Sequence, residues 1–265
     1  MATALKQNAR FLTLAATLVL AFASLPTHAA FVNIDDFESY TVGDGTGDMG
    51  GDWWGSAQVA TDPADSGNQV LSYTGSNASH SYRGSDIEIA NGTTATLFFR
   101  ARIEGATDPD FGMGMSDFAA PSSWSAYEAQ LTWQNDGSSV GVRNGSSATT
   151  TDDAWYLIWM VIDNTNDEYD VYLQSDDDSN FSSQTKIGST AAFRNGSANN
   201  DLVSFFLNTN AGNTAPAYID DIYLDTTGES LKNPLFLIPE PSTLALVLIL
   251  GGLALPRRGR RNESA

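Results

Sequence analysis

The residues best equipped for chemistry are acidic and stand near both ends of a long β-rich stretch. Asp36 and Glu38 are two apart, so on a strand they project to one side. In "YIDDIYL", Asp220 has the parity of Ile222 and Leu224, which are expected to face a core, and the sequence offers it no nearby Lys or Arg. A carboxylate carried into a core needs a partner charge. Calcium would satisfy several at once, because it takes about 6–8 oxygen ligands, backbone carbonyls among them. Solvated strand ends are the alternative. The acidic groups Asp44, Asp48, Asp52 and Asp176–Asp178 lack the spacing of a calcium-binding loop and read as solvated charge.

A second set suits binding. Arg100 and Arg102 share the side of "TLFFRARI" opposite Leu97, Phe99 and Ala101, so both point away from the core. They could pair with carboxylate or sulfate on an acidic glycan. Trp53, Trp54 and Trp124 lie in Gly/Ser-rich segments, where aromatic faces can stack on sugars. The competing reading packs Trp53 and Trp54 under their own loop and pairs the arginines with the chain's many carboxylates.

Catalysis has less to work with. Beyond the first thirty residues His80 is the one histidine, and the chain has no cysteine. "GSDI" and "HSYR" give no nucleophile elbow, and no Glu-x-Asp-x-x-Glu strand motif sets two carboxylates at the spacing of a retaining glycosidase. His80, Tyr82 and Arg83 match the residue types of jelly-roll polysaccharide lyases without their strand motifs. No catalytic residue is assigned, and the chain is expected not to be an enzyme.

The elements that must position these residues are strands. Short β-branched and aromatic runs alternate with Gly, Asn, Asp and Ser, and Asn91-Gly92, Asp136-Gly137, Asn144-Gly145 and Asn195-Gly196 are turn dipeptides. The expected strands are Gln69–Tyr73, Ser81–Ile89, Thr94–Ile103, Tyr127–Trp133, Val140–Arg143, Trp155–Asp163, Glu168–Gln174, Leu202–Asn208 and Ala217–Asp225. Strands at this spacing predict an all-β, antiparallel sandwich.

The two ends read differently from the middle. Lys6 and Arg10, the twelve-residue apolar run "FLTLAATLVLAF" and the small residues Thr27 and Ala29 form a signal-peptide pattern over 1–29, with a helical apolar core. At the other end "IPEPSTLALVLILGGLALPRRGRR" joins Pro239, Glu240 and Pro241 to a short apolar helix and then to Arg257, Arg258, Arg260 and Arg261. By the positive-inside rule the arginines hold this terminus in the cytoplasm. Between the ends, seven Lys and Arg face thirty Asp and Glu, a formal charge of −23. Such a field disfavours nucleic acid and anionic membrane surfaces. Without cysteine no disulfides staple the domain.

Residues 238–261 resemble the PEP-CTERM sorting signal of Gram-negative bacteria, with its three parts in the same order. The resemblance implies a tail that pauses transiently in the inner membrane, an exosortase that acts near Pro239-Glu240-Pro241, and a place on the cell surface or in an extracellular matrix associated with exopolysaccharide. "NIDDFESYTVG", "SGNQVLSYTG", "AWYLIWMVIDNTNDEYDVYL" and "AYIDDIYLD" resemble strands of the concanavalin A-like jelly rolls, laminin-G-like members nearest. The opening and closing motifs also resemble those of β-sandwich carbohydrate-binding modules. Those modules commonly hold a structural calcium there, and carried over by position Glu38 and Asp220 are its ligands, with Asp36 and carbonyls near Gly43 completing the shell.

The expected organisation is therefore a signal peptide at 1–29, a jelly-roll sandwich at 30–225, a spacer at 226–237, the sorting signal with its short transmembrane helix at 238–261, and a tail at 262–265. The expected role is that of an exported, non-enzymatic, glycan-contacting protein whose partners are exosortase and extracellular polysaccharide. The rival is a divergent polysaccharide lyase or glycoside hydrolase of the jelly-roll class.

Overall fold

A computed structural model describes residues 31–74, 79–82, 84–105, 110–134, 138–176, 184–196, 200–209 and 215–236. Among them the strands run in chain order as β1 (Val32–Asp35), β2 (Trp53–Trp54), β3 (Gln58–Thr61), β4 (Gln69–Tyr73), β5 (Ser79–Tyr82), β6 (Thr94–Ile103), β7 (Phe111–Ser116) and β8 (Ala129–Gln134). There follow β9 (Ser139–Val142), β10 (Ser147–Thr149), β11 (Trp155–Asp163), β12 (Glu168–Ser175), β13 (Thr185–Lys186), β14 (Ala191–Ala192), β15 (Ser204–Thr209) and β16 (Ala217–Asp225). One sheet has the order β13-β12-β11-β6-β16-β4-β3, with β1 on β16 and β14 on β12; the other runs β10-β9-β8-β7-β15-β5-β2. All the pairings recorded between strands are antiparallel, so the fold is a two-sheet β-sandwich, as the strand spacing predicts.

Period-two alternation builds the core between the sheets. Leu97, Phe99 and Ala101 of β6 meet Phe205 and Leu207 of β15, with the Phe99 and Phe205 ring centroids 5.1 Å apart. Tyr73 of β4 meets Phe111 of β7 edge-on at 5.4 Å, a preferred aromatic geometry. The central strand β11 is buried along both faces, which explains its unbroken apolar run. Asn144-Gly145 forms the turn between β9 and β10, where Gly145 takes φ 84°.

Two departures from the sequence expectation shape the outer faces of the sandwich. In β16 the register shifts between Asp220 and Tyr223, and Asp221 adopts φ 52°. This β-bulge restarts the alternation. Ile219 and Ile222 therefore both enter the core, while Asp220 pairs across the ladder with Arg100 on the opposite face. The second departure is β7, "FGMGMS", a strand absent from the sequence expectation because glycine depletes strand propensity. Its Met113 and Met115 fill the core, and Gly112 and Gly114 face outward.

The first part of the segment expected as a spacer, 226–237, hydrogen-bonds to the sandwich as far as Leu231. The Thr96 hydroxyl donates to the Gly228 carbonyl at 2.9 Å and accepts from the Ser230 amide at 2.9 Å. Gln184 donates to the Leu231 carbonyl at 2.7 Å. Lys232–Ala265 forms a second unit, of which the described part holds a 3-10 turn at Pro234–Phe236. The expected signal helix, the terminal membrane helix and the sorting residues Pro239, Glu240, Pro241, Arg257, Arg258, Arg260 and Arg261 lie outside the described residues. Within the described residues no helix is long and apolar enough to cross a membrane.

Candidate functional site

The outer face of the seven-stranded sheet carries a groove of about 490 Å³, within the size range of small-ligand sites. Its floor arises from register. Gly112 of β7 pairs with Thr132 of β8, Thr132 with Gly141 of β9, and Gly141 with Ser147 of β10. Two glycines and two short hydroxylic side chains thus form one row across four strands. At the usual strand separation of about 4.8 Å, that row spans about 14 Å. One step along β8 on either side lie Gln130 and Gln134, which add amide donors and acceptors.

Trp124 lies against the bare backbone at Gly112. A Cβ placed there would stand 2.6 Å from the indole Cζ3, so only glycine leaves room for this ring position. The indole continues into a small aromatic cluster on the same outer face, Trp124 to Tyr127 at 5.9 Å and Tyr127 to Phe206 at 4.5 Å. This cluster is separate from the main core. Alternation with Leu131 and Trp133 predicts Tyr127 inward, but β8 begins only at Ala129 and the preceding 3-10 turn, Trp124–Ala126, turns Tyr127 out. The Trp124 indole N–H is shielded from solvent and has no acceptor among the described residues.

One wall is built from polar contacts. Arg194 donates to the Gln130 side-chain oxygen at 3.2 Å, and Gln130 donates onward to the Thr132 hydroxyl at 3.1 Å. The loop carrying Arg194 is held in two ways. Arg143 donates to the carbonyls of Phe193 and Arg194 at 3.0 and 2.9 Å. Glu128, buried to 1 % exposure, accepts from the Asn195 side chain at 2.7 Å and its amide at 3.1 Å. Burial pushes the Glu128 carboxyl up, and the two Asn195 hydrogen bonds only partly offset that. An aromatic face beside amides, hydroxyls and guanidinium groups in an open groove is equipped to stack on and hydrogen-bond a polyhydroxylated ligand.

The other expected ligand-contacting residues lie elsewhere. Trp53 is a core residue: it is 3 % exposed, packs on Phe37 and Tyr82, and donates its indole N–H to Asp35 at 2.7 Å. Burial raises the Asp35 carboxyl, and hydrogen bonds from Trp53, the Phe37 amide and Tyr40 oppose that shift. Trp54 is 38 % exposed but sits on edge strand β2, at the opposite end of the sheet from β10. Tyr82 of the lyase-like set turns into the core and donates to Asp86 at 3.0 Å. His80 lies on β5, and Arg83 falls outside the described residues.

Arg100 and Arg102 serve the protein's own carboxylates. Arg100 reaches Asp176 at 2.8 Å, Asp220 at 3.0 Å and Asp221 at 3.2 Å, with its guanidinium over the Trp155 ring at 4.7 Å. Arg102 bonds the Asp153 carbonyl and lies 3.7 Å from Glu104. The expectation that Asp220 lacks a basic partner is thereby corrected. Arg100 stands 120 positions away in sequence and opposite it in the ladder.

The expected calcium ligands are engaged by protein groups in this structure. Asp220 is taken by Arg100 and by Asn68 at 2.9 Å, Glu38 accepts from the Gln69 amide at 2.7 Å, and Asp36 accepts from the Asn33 side chain at 3.0 Å. Among the described residues no three acidic or histidine side chains converge as a metal site. Burial, then the neighbouring Asp221, pushes the Asp220 carboxyl up to about 8, while Arg100 and Asn68 hold it down only in part.

No protein-family model and no curated protein matches the sequence. Solved structures match the fold. The catalytic domain of a glycoside hydrolase family 131 protein from Coprinopsis cinerea aligns with a TM-score of 0.52 at 13 % identity, covering 77 % of this chain and 98 % of that one. A GH131 β-glucanase catalytic domain from Podospora anserina gives 0.45 at 12 % identity over 75 % and 88 %, and a Lotus tetragonolobus seed lectin 0.46 at 7 % over 68 % and 95 %. The likeness to the Coprinopsis domain is one of fold.

Proposed function

We propose that this chain is an exported, non-enzymatic jelly-roll protein of the cell surface or extracellular matrix that binds glycan in the groove beside Trp124. The observation that carries the reading is the seating of Trp124 on Gly112, next to the polar row of Gln130, Thr132 and Ser147. That combination supplies a stacking platform and directional hydrogen bonds on one surface. A glycoside hydrolase domain shares the fold, which favours a glycan over other polyhydroxylated ligands.

The terminal sequences supply the compartment in this reading. The pattern at 1–29 directs export, and the PEP-CTERM-like tail gives a transient inner-membrane anchor and an exosortase partner. A hydrolase or lyase is the second reading, favoured by Asp110 on the groove. Two-carboxylate hydrolysis needs a second acid about 5–9.5 Å away, and Glu128 is occupied with the Asn195 loop. A glycan array together with a reducing-end assay separates the two. Binding without release of reducing ends is expected; release that depends on Asp110 would make the protein an enzyme.

A further inference from the structure

The groove concentrates positive charge that the rest of the sandwich neutralises. Arg100, Arg102 and Lys186 each meet a carboxylate. Arg143 and Arg194 meet none among the described residues: their recorded partners are the carbonyls of Phe193 and Arg194 and the amide oxygen of Gln130. Both line the groove. Among the described residues these two guanidinium groups make no ion pair, on one surface of a region with thirty carboxylates and seven basic side chains, and such groups can meet an external anion.

The two ends of the groove also differ in charge. Register places Gly114 opposite Gln130 and Phe111 opposite Trp133, so Asp110 belongs with the Gln134 end and Arg194 with the Gln130 end. Four residue steps of β8, from Gln130 to Gln134, separate these ends, about 13 Å of strand. Arg143 Nη1 is spent on carbonyls, but its other nitrogens and those of Arg194 beyond Nη1 carry no recorded hydrogen bond. Guanidinium groups with open N–H edges match the planar two-oxygen face of a carboxylate and the oxygens of a sulfate.

We infer that the groove selects an anionic glycan, with its carboxylate or sulfate held by Arg194 and Arg143 and a neighbouring sugar ring against Trp124. This rests on the proposed glycan-binding function and adds the charge of the ligand. The surrounding carboxylates oppose any anion at long range, so the preference must come from these two local contacts.

The test compares anionic and neutral ligands. The purified protein is titrated calorimetrically with an oligogalacturonate, its fully methyl-esterified neutral counterpart, and a sulfated galactan oligosaccharide. At least tenfold tighter binding of one anionic ligand than of the neutral ester is expected, and which one identifies carboxylate or sulfate. Arg194→Gln should erase that preference, bringing the affinity for the anionic ligand down to that for the neutral ester in the same variant. Arg194→Lys, which keeps the charge without the planar fork, should retain part of it and serves if the Gln variant fails to fold. Equal, Trp124-dependent binding of charged and neutral ligands would overturn the charge assignment and leave the groove standing. Binding of none of the three would overturn both.

Discussion

Asp220 concentrates the electrostatics of the nine-stranded sheet. It is 1 % exposed and shares one guanidinium with Asp176 and Asp221, so its neutral form is favoured in the fold. An Asp whose folded pKa near 8 exceeds its ordinary 3.8 contributes stability that is fully present below about pH 4 and is lost as pH rises through 8. The melting temperature should therefore decline across that window. In Asp220→Asn the decline should be shallower, as thermal melts from pH 4 to 9 would record. An identical slope would contradict the shift. Arg100 is the sole recorded cation of this cluster, and Arg100→Met leaves its carboxylates without one. Chemical denaturation should show a loss toward the lower end of about 3–5 kcal/mol, because Asp176 and Asp221 keep some solvent. Chelation tests the calcium expected at Glu38 and Asp220: a lowered melting temperature would support it, and an unchanged one would remove it.

At the scale of elements, β7 seats the tryptophan of the groove. Gly112 makes room for Trp124, and Gly112→Ala would force the indole and the Tyr127 hydroxyl to move. Glycan affinity should fall by about tenfold, with a modest loss of stability because the aromatic cluster lies outside the main core. Gly114 tolerates less: at φ 155° its Cβ would meet the Ala129 carbonyl oxygen at 2.0 Å, a backbone atom that cannot swing away. Gly114→Ala should lower the melting temperature far more than Gly112→Ala, as parallel melts would show.

These elements explain what can be read from the sequence. Thr94–Ile103, Trp155–Asp163 and Ala217–Asp225 carry long apolar patterns and are legible to the residue. The outward direction of Gln130 and Thr132 follows from alternation, and Trp124 stands out as a loop tryptophan. Asp220 misleads because the bulge at Asp221 restarts the alternation without a glycine or proline to announce it. Arg100 looks free because its partners are distant in sequence and meet it only through strand pairing. Arg143 and Arg194 carry no signal beyond standing before Asn-Gly turns. Their roles arise where the Phe193–Asn195 loop crosses the end of β8.

Across the whole molecule, in the proposed reading, the sandwich offers a binding surface and the terminal segments an address. The excess of carboxylates disfavours anionic lipid, and the proposed membrane contact rests on the four arginines beyond Pro256. Replacing Arg257, Arg258, Arg260 and Arg261 with Ala should deplete the membrane-anchored precursor severalfold and release unprocessed protein, seen by fractionation and blotting. Unaltered anchoring and processing would remove the sorting role of the tail.

The central claim is that the groove beside Trp124 binds glycan, and the measurement that bears on it most directly is the affinity of Trp124→Ala. A ligand found on a glycan array would be titrated into the native protein and the variant, with melting temperatures taken on the same samples. Losing the stacking face should weaken binding by at least about tenfold, about 1.4 kcal/mol, while the main core holds the fold. Undiminished affinity in a folded Trp124→Ala protein would place the binding surface elsewhere on the sandwich and contradict the claim.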